Sequence, residues 1–191
     1  MSTIEKLMSH TAKFGLKTPR ELFDKLKYDA ELLLREREEN TEEQRLEEFE
    51  AFNFFVTAWH LYHDWLKKGK SPDKPTYALE KIEAASSKFK EVKDVLRDIA
   101  NGSKHFELTD PAKVTVGERE ISCWYSYFYG PQFPIETKSF HFLMYELVTL
   151  VLMYFEWIFD DTKSVKMPSE ITDKLDKARE IHSARKNLAN S

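Results

Sequence analysis

The stretch from Leu46 to Leu66, LEEFEAFNFFVTAWHLYHDWL, constrains this chain more than any other. Leu46, Phe49, Phe52, Val56, Trp59, His63 and Leu66 recur at steps of three and four, the spacing of one face of an α-helix. A second apolar row, Ala51, Phe55, Ala58, Tyr62 and Trp65, lies beside it. A helix apolar around most of its girth belongs at the centre of a bundle. The two rows predict one uninterrupted buried helix from Phe49 to Leu66. A single polar row escapes: Glu50, Asn53, Thr57, His60, Asp64 and Lys67. That stripe is either a solvent face or the wall of a site. An interior stripe needs polar partners, so His60 or Asp64 is expected within reach of residues 97 to 105.

A chain of 191 residues can close one domain around a substantial core. Helix formers dominate and there are only five Gly and seven Pro, which points to a mainly α fold. The expected architecture is a bundle of five to six helices over residues 18 to 188, with a small β-hairpin inserted at about 113 to 135. Residues 1 to 17 read as an arm or a short helix. The formal charge of −4 weakens the case for a large nucleic-acid face, which needs clustered Lys and Arg. Cys123 is the single cysteine, so an internal disulfide framework is excluded and a cytoplasmic setting is expected. The opening MSTIEKLMSHTAKFGLK has no apolar core of a secretory signal.

Along the chain, Thr18-Pro19-Arg20-Glu21 is a helix start: a Thr cap, Pro at the first position and Glu three residues on. Its helix, with Leu22, Leu26, Ala30 and Leu33 on one face, is expected to end near Asn40. Thr41 to Gln44 reads as a second capping box, and Gly69 as the stop of the central helix. Two shorter helices follow, near 76 to 86 and 88 to 101, the second with Phe89, Val92, Leu96, Ile99 and Ala100 inward. ISCWYSYFY and Gly130-Pro131 mark the hairpin. Ser139 to Phe159 is the most apolar segment. Glu146 and Glu156 argue against a membrane span, so it reads as a second buried helix. A last charged helix, Pro168 to about Leu188, presents Ile171, Leu175, Ala178 and His182 on one side.

Chemistry concentrates in Leu96 to Phe106, LRDIANGSKHF. Asp98, Asn101 and His105 share a face if the helix runs past Gly102, with Arg97 beside them. A His can take the proton of a 2′-hydroxyl and an Arg can stabilise charge on a phosphate, and this chemistry needs no metal. The other reading of the stretch is structural. Asn101-Gly102 ends the helix, His105 falls in a loop and Arg97 pairs with a nearby carboxylate.

LRDIANGSKHF following FNFFVTAWHLYHDWL on an earlier helix resembles the HEPN superfamily. The likeness covers roughly Thr41 to Phe106. It implies an all-α domain of the kind found in prokaryotic toxins, phage defence and mobile elements. It also implies a metal-independent ribonuclease that dimerises to build its site. The family motif is an Arg, often followed by a polar residue, and a His four to six residues further on. Arg97 is followed here by Asp98, and His105 closes the motif after seven intervening residues. By this resemblance Arg97 and His105 are the catalytic residues, with Asp98, Asn101, Lys104, His60 and Asp64 in support.

His60, His63 and Asp64 also have the spacing at which two ligands can share a metal, with His105 and His141 as the only further donors. A hydrogen-bonded core histidine is the commoner outcome at His63, and Asp64 is better used to orient His105 or Arg97. Neither a metal nor a cofactor is expected. A homodimer is, because the apolar helix at 142 to 159 and the aromatic residues at 121 to 133 need cover. RNA, a protein partner or an antitoxin are the other partner classes. A membrane is not among them. The rival to an RNA-directed function is a non-catalytic interaction or scaffold protein built on the same bundle.

Overall fold

The structure is a computed structural model and describes residues 15–35, 41–69, 73–102, 114–117 and 133–189, with 41–45 as backbone only. The described residues form six α-helices: α1 (Pro19–Leu34), α2 (Thr41–His60), α3 (Ala78–Ala84), α4 (Lys90–Gly102), α5 (Met144–Phe159) and α6 (Ser169–Ala189). A π-helical segment, Leu61–Lys67, continues α2. Three short strands, β1 (Thr115–Val116), β2 (Pro134–Glu136) and β3 (His141–Leu143), pair antiparallel in that order. The fold is mainly α with a small sheet, as the composition and periodicity predict.

α1 starts where its sequence says it should. Thr18 Oγ1 accepts from the Glu21 N–H at 3.1 Å, and Glu21 Oε2 accepts from the Thr18 N–H at 2.9 Å. Leu22, Leu26, Ala30 and Leu33 are buried. The helix ends at Leu34 rather than near Asn40, because Arg35 is extended at φ −68°, ψ 149°. Residues 36–40 and the side chains of Thr41 to Gln44, with the second capping box, lie outside the described residues.

α5 is the axis of the core. Leu147, Val148, Leu150, Val151, Tyr154, Phe155 and Ile158 are all buried. Phe23 of α1 stacks on Phe159 with centroids 4.6 Å apart, and Phe89 stacks on Tyr154 at 3.9 Å. α1, α3 and α6 pack against α5, while α2 packs against α1 and α4. The chain therefore covers α5 by itself, and the apolarity of this helix does not call for a partner subunit. Among the described residues no helix is long and apolar enough to cross a membrane.

The last carbonyls of α5 are satisfied by two cations from elsewhere in the chain. Lys81, fully buried on α3, donates to Trp157 O at 2.7 Å and Asp160 O at 2.5 Å. Arg20 Nη2 donates to Phe159 O at 3.1 Å. A helix C-terminus carries partial negative charge on its unpaired carbonyls, which is why a lysine is tolerated inside.

Ser139–Phe159 is not one helix. Phe142 pairs with Ile135 in the sheet, and α5 begins only at Met144. An unbroken apolar run lacks the periodicity that would separate a buried strand from a buried helix. The break is held by Glu91 of α4, which accepts from Thr137 Oγ1 at 2.6 Å and Ser139 Oγ at 2.7 Å. The expected hairpin is represented by β1 and β2, with Thr115 opposite Glu136. Residues 118–132, with Cys123 and the aromatic run, lie outside the described residues. α6 buries Ile171, Leu175, Ala178 and His182, the face its sequence predicts.

The central helix differs from expectation in two ways. Its first apolar row, Leu46, Phe49, Phe52, Val56 and Trp59, is the outward one: Phe49 is 55% and Phe52 40% exposed, and Val56 and Trp59 are half-buried. The inward face consists of Ala51, Phe54, Phe55, Ala58, Leu61 and Tyr62. The small Ala51 and Ala58 let neighbouring helices come close on that side. The helix is also not uniform, since α-geometry gives way to π-geometry at Leu61.

Candidate functional site at the π turn

The widened turn organises the only histidine pair in the described part of α2 and its continuation. The Lys68 N–H bonds to His63 O at 3.0 Å, five residues back. π turns inside α-helices are uncommon and concentrate at functional sites. The extra residue per turn changes the register of the helix face. Leu66 turns inward and is fully buried, although it shares its sequence row with the half-buried Trp59 and His63. His60 and His63 are left together at the surface.

Both imidazoles converge on one carboxylate. His60 Nδ1 lies 2.6 Å from Asp64 Oδ2, and His63 Nδ1 lies 2.8 Å from Asp64 Oδ1. Burial raises the Asp64 pKa, but the hydrogen bonds from His60 and His63 outweigh it and leave the carboxyl below its ordinary value. With Nδ1 donating to the carboxylate, Nε2 of each neutral ring carries the lone pair. The indole of Trp59 stacks on His63, centroids 4.7 Å apart and 14° from parallel, and fixes that ring from the other side. Gly69 ends the segment for a steric reason: a Cβ there would stand 2.5 Å from Trp65 O and 2.7 Å from Asp64 O.

α4 packs along α2. Its first turn reaches the π segment: Lys93 Nζ sits 5.7 Å from the centroid of the Tyr62 ring and donates to Ser86 O at 3.0 Å. Burial, and next the charge of Lys67, hold the Lys93 pKa below the usual lysine value. Arg97 follows one turn later on the same helix. Its Nε and Nη2 donate to Asp98 Oδ1 at 3.0 and 2.8 Å, and its Nη1 lies 2.9 Å from Asp94 Oδ1. Arg97 thus pairs with carboxylates, and its second partner, Asp94, stands at the i,i+3 spacing that sets two side chains side by side on a helix.

Of the residues expected to carry chemistry, Arg97, Asp98 and Asn101 lie on α4, which runs through Gly102 without ending at Asn101. Lys104 and His105 lie outside the described residues. His60 and Asp64 form one cluster with His63, which helical spacing alone assigns to the buried apolar row. The polar row they belong to is divided. Thr57 is buried against α1, where it donates to Asp29 at 3.0 Å and accepts from Lys25 at 2.9 Å. Glu50 is buried there too, 3.4 Å from Arg35. Asp64 and Lys67 are exposed and His60 is half-exposed, so the lower end of the row is a surface, not an interior wall. His141 is buried in the sheet with Nδ1 3.0 Å from Glu136 Oε1. Among the described residues no group of three or more His, Cys, Asp or Glu is disposed to hold a metal ion.

Compared with family models, with curated proteins and with solved structures, the chain matches none.

Proposed function

We propose that this is a HEPN-like helical protein that binds or cleaves RNA without a metal, in a phage-defence or toxin setting. The observation that supports the reading is the packing of α4, which carries Leu96 to Gly102 of one resembling stretch, along α2, which carries most of the other, with Lys93 of α4 over Tyr62. In this reading Arg97 meets a phosphate, and Asp94 and Asp98 position its guanidinium. His105 removes the 2′-hydroxyl proton, the 2′-oxygen attacks phosphorus, and the 5′-oxygen leaves with a proton returned by an imidazolium. The products are a 2′,3′-cyclic phosphate and a 5′-hydroxyl. His60 and His63, oriented by Asp64, are the supporting acid–base groups.

The test is an assay on mixed RNAs with EDTA present. Wild type should cleave. His105→Ala and Arg97→Ala should each lose most of the rate while keeping wild-type circular dichroism. Binding should weaken as salt rises, as expected of phosphate contacts. Equal and negligible cleavage by all three proteins retires the nuclease. The rival reading, a non-catalytic interaction protein, is favoured by a separate observation, the outward aromatic row of α2.

A further inference from the structure

α5 and α6 meet over a cleft that contains no residue of α4 or of the His60–Asp64–His63 cluster. It encloses about 460 Å³ with its open mouth counted, room for an amino acid. Its floor is apolar: Phe142 and Ala178 are buried and Ile181 is half-buried. Its walls carry charge of both signs. Glu146 belongs to the first turn of α5, and Lys174 and Lys177 belong to α6.

The fold leaves these charges available. Lys174 and Lys177 are one turn apart and exposed, and neither makes an ion pair or a hydrogen bond among the described residues. Two arginines of the same helix differ: Arg179 pairs with Asp176 at 2.6 Å and lies over the Phe140 ring, and Arg185 reaches Glu136 at 3.8 Å. Glu146 spends one oxygen on the helix start, where Oε2 accepts the Leu143 N–H at 3.1 Å. Its Oε1 has no hydrogen-bond partner among the described residues.

An anion in the cleft would gain the two lysines and be repelled by Glu146, and a cation would meet the reverse. A small zwitterion satisfies both walls at once. We propose that the cleft binds a free α-amino acid with an apolar side chain. Its carboxylate turns to Lys174 and Lys177, its ammonium turns to Glu146, and its side chain covers Phe142, Ala178 and Ile181. Two charge-assisted contacts fix the orientation and the floor selects the side chain. The site shares no residue with the RNA-directed function proposed above, so the two stand or fall separately.

Titration calorimetry and amide NMR on the full chain test it, with L-leucine and L-phenylalanine as probes. At least one should bind saturably in the millimolar range or below, and the Ala178 and Ile181 amide resonances should shift. The analogues lacking the ammonium (isocaproate, hydrocinnamate) and those lacking the carboxylate (isoamylamine, phenethylamine) should bind at least about tenfold more weakly than their parent, having lost one charge-assisted contact. Lys174→Gln combined with Lys177→Gln should weaken the amino acid by at least about tenfold as well. Both lysines are exposed, so circular dichroism and melting should be retained. Glu146→Gln keeps an oxygen for the Leu143 N–H and removes the charge. It should weaken the amino acid but not the analogue without an ammonium. Lys186→Gln, exposed on α6 outside the cleft, should bind as wild type does. No saturable binding of either amino acid overturns the proposal, and so does binding that the double lysine variant retains. An analogue without the ammonium that binds as tightly as its parent overturns it equally.

Discussion

The Trp59 indole lies flat on the His63 imidazole, 4.7 Å away and 14° from parallel. The pair joins the two unusual features of α2, the outward aromatic row and the histidines gathered on Asp64. Trp59 ends the one and buttresses the other. A perturbation of the row is therefore expected to reach the cluster through this contact.

Which side of α2 faces inward can be read from two neighbouring phenylalanines. Phe54 is fully buried and in edge contact with Phe55, centroids 5.3 Å apart, whereas Phe52 is exposed. Phe54→Ala should lower stability by about 3–5 kcal/mol through lost transfer energy and a residual cavity. Phe52→Ala should cost no more than about 0.5 kcal/mol of fold stability in the monomer. Urea unfolding at low protein concentration separates the two, and similar losses would contradict the assigned face.

Gly69→Ala should be destabilising although this glycine was not chosen for a left-handed backbone. The new methyl group would collide with the Trp65 and Asp64 carbonyl oxygens. Backbone yields less easily than a side chain, so the cost should reach about 1–3 kcal/mol. The π turn should distort with it, and the imidazole resonances of His60 and His63 should move in NMR spectra. Unchanged resonances with unchanged stability would sink this expectation.

Lys81→Met keeps the length of the side chain and removes its charge. The carbonyls of Trp157 and Asp160 then lose their buried donor. The expected loss is about 2–3 kcal/mol, the cost of leaving buried acceptors on a helix end unpaired. Hydrogen exchange should show the last turn of α5 opening first. A Met variant as stable as wild type would mean that water replaces the ammonium.

Two groups give the pH dependence a test at each end of the scale, Asp64 in acid and Tyr154 in alkali. The Asp64 pKa is lowered in the fold from 3.8, so its contribution is present above that value and is lost as pH falls through the lower folded value. Asp64→Asn should erase that part of the acid dependence. Tyr154 is fully buried and its hydroxyl has no hydrogen-bond partner among the described residues, and burial first, then the charge of Tyr62, raises its pKa from 10.0. Its contribution is present below 10 and is lost as pH rises above it, because the unfolded chain ionises there and the folded chain does not. Tyr154→Phe should be more stable by about 1 kcal/mol at neutral pH. It should also resist alkaline unfolding better than wild type. Denaturation midpoints from acid to alkaline pH for both variants decide it.

Local sequence was sufficient wherever the deciding contact lay within a few residues. The Thr18–Glu21 capping box starts α1, and the Ile171, Leu175, Ala178, His182 row of α6 is buried as read. α2 shows where local information stops. Periodicity determined which residues share a face but not which face a neighbour would take. Two apolar rows competed, and packing against α1 and α4 selected the one with Ala51 and Ala58, leaving Phe49 and Phe52 outside. The same packing buried Thr57 and Glu50 from a row that reads as uniformly polar. The π turn, and with it the meeting of His60 and His63 on Asp64, lies beyond any rule that assumes a regular helix. The burial of Lys81 has no local sign in sequence, because the carbonyls that hold it belong to Trp157 and Asp160, far along the chain. Periodicity and capping are properties of neighbours in sequence, whereas burial and site geometry belong to neighbours in space, and only the folded chain decides who those are.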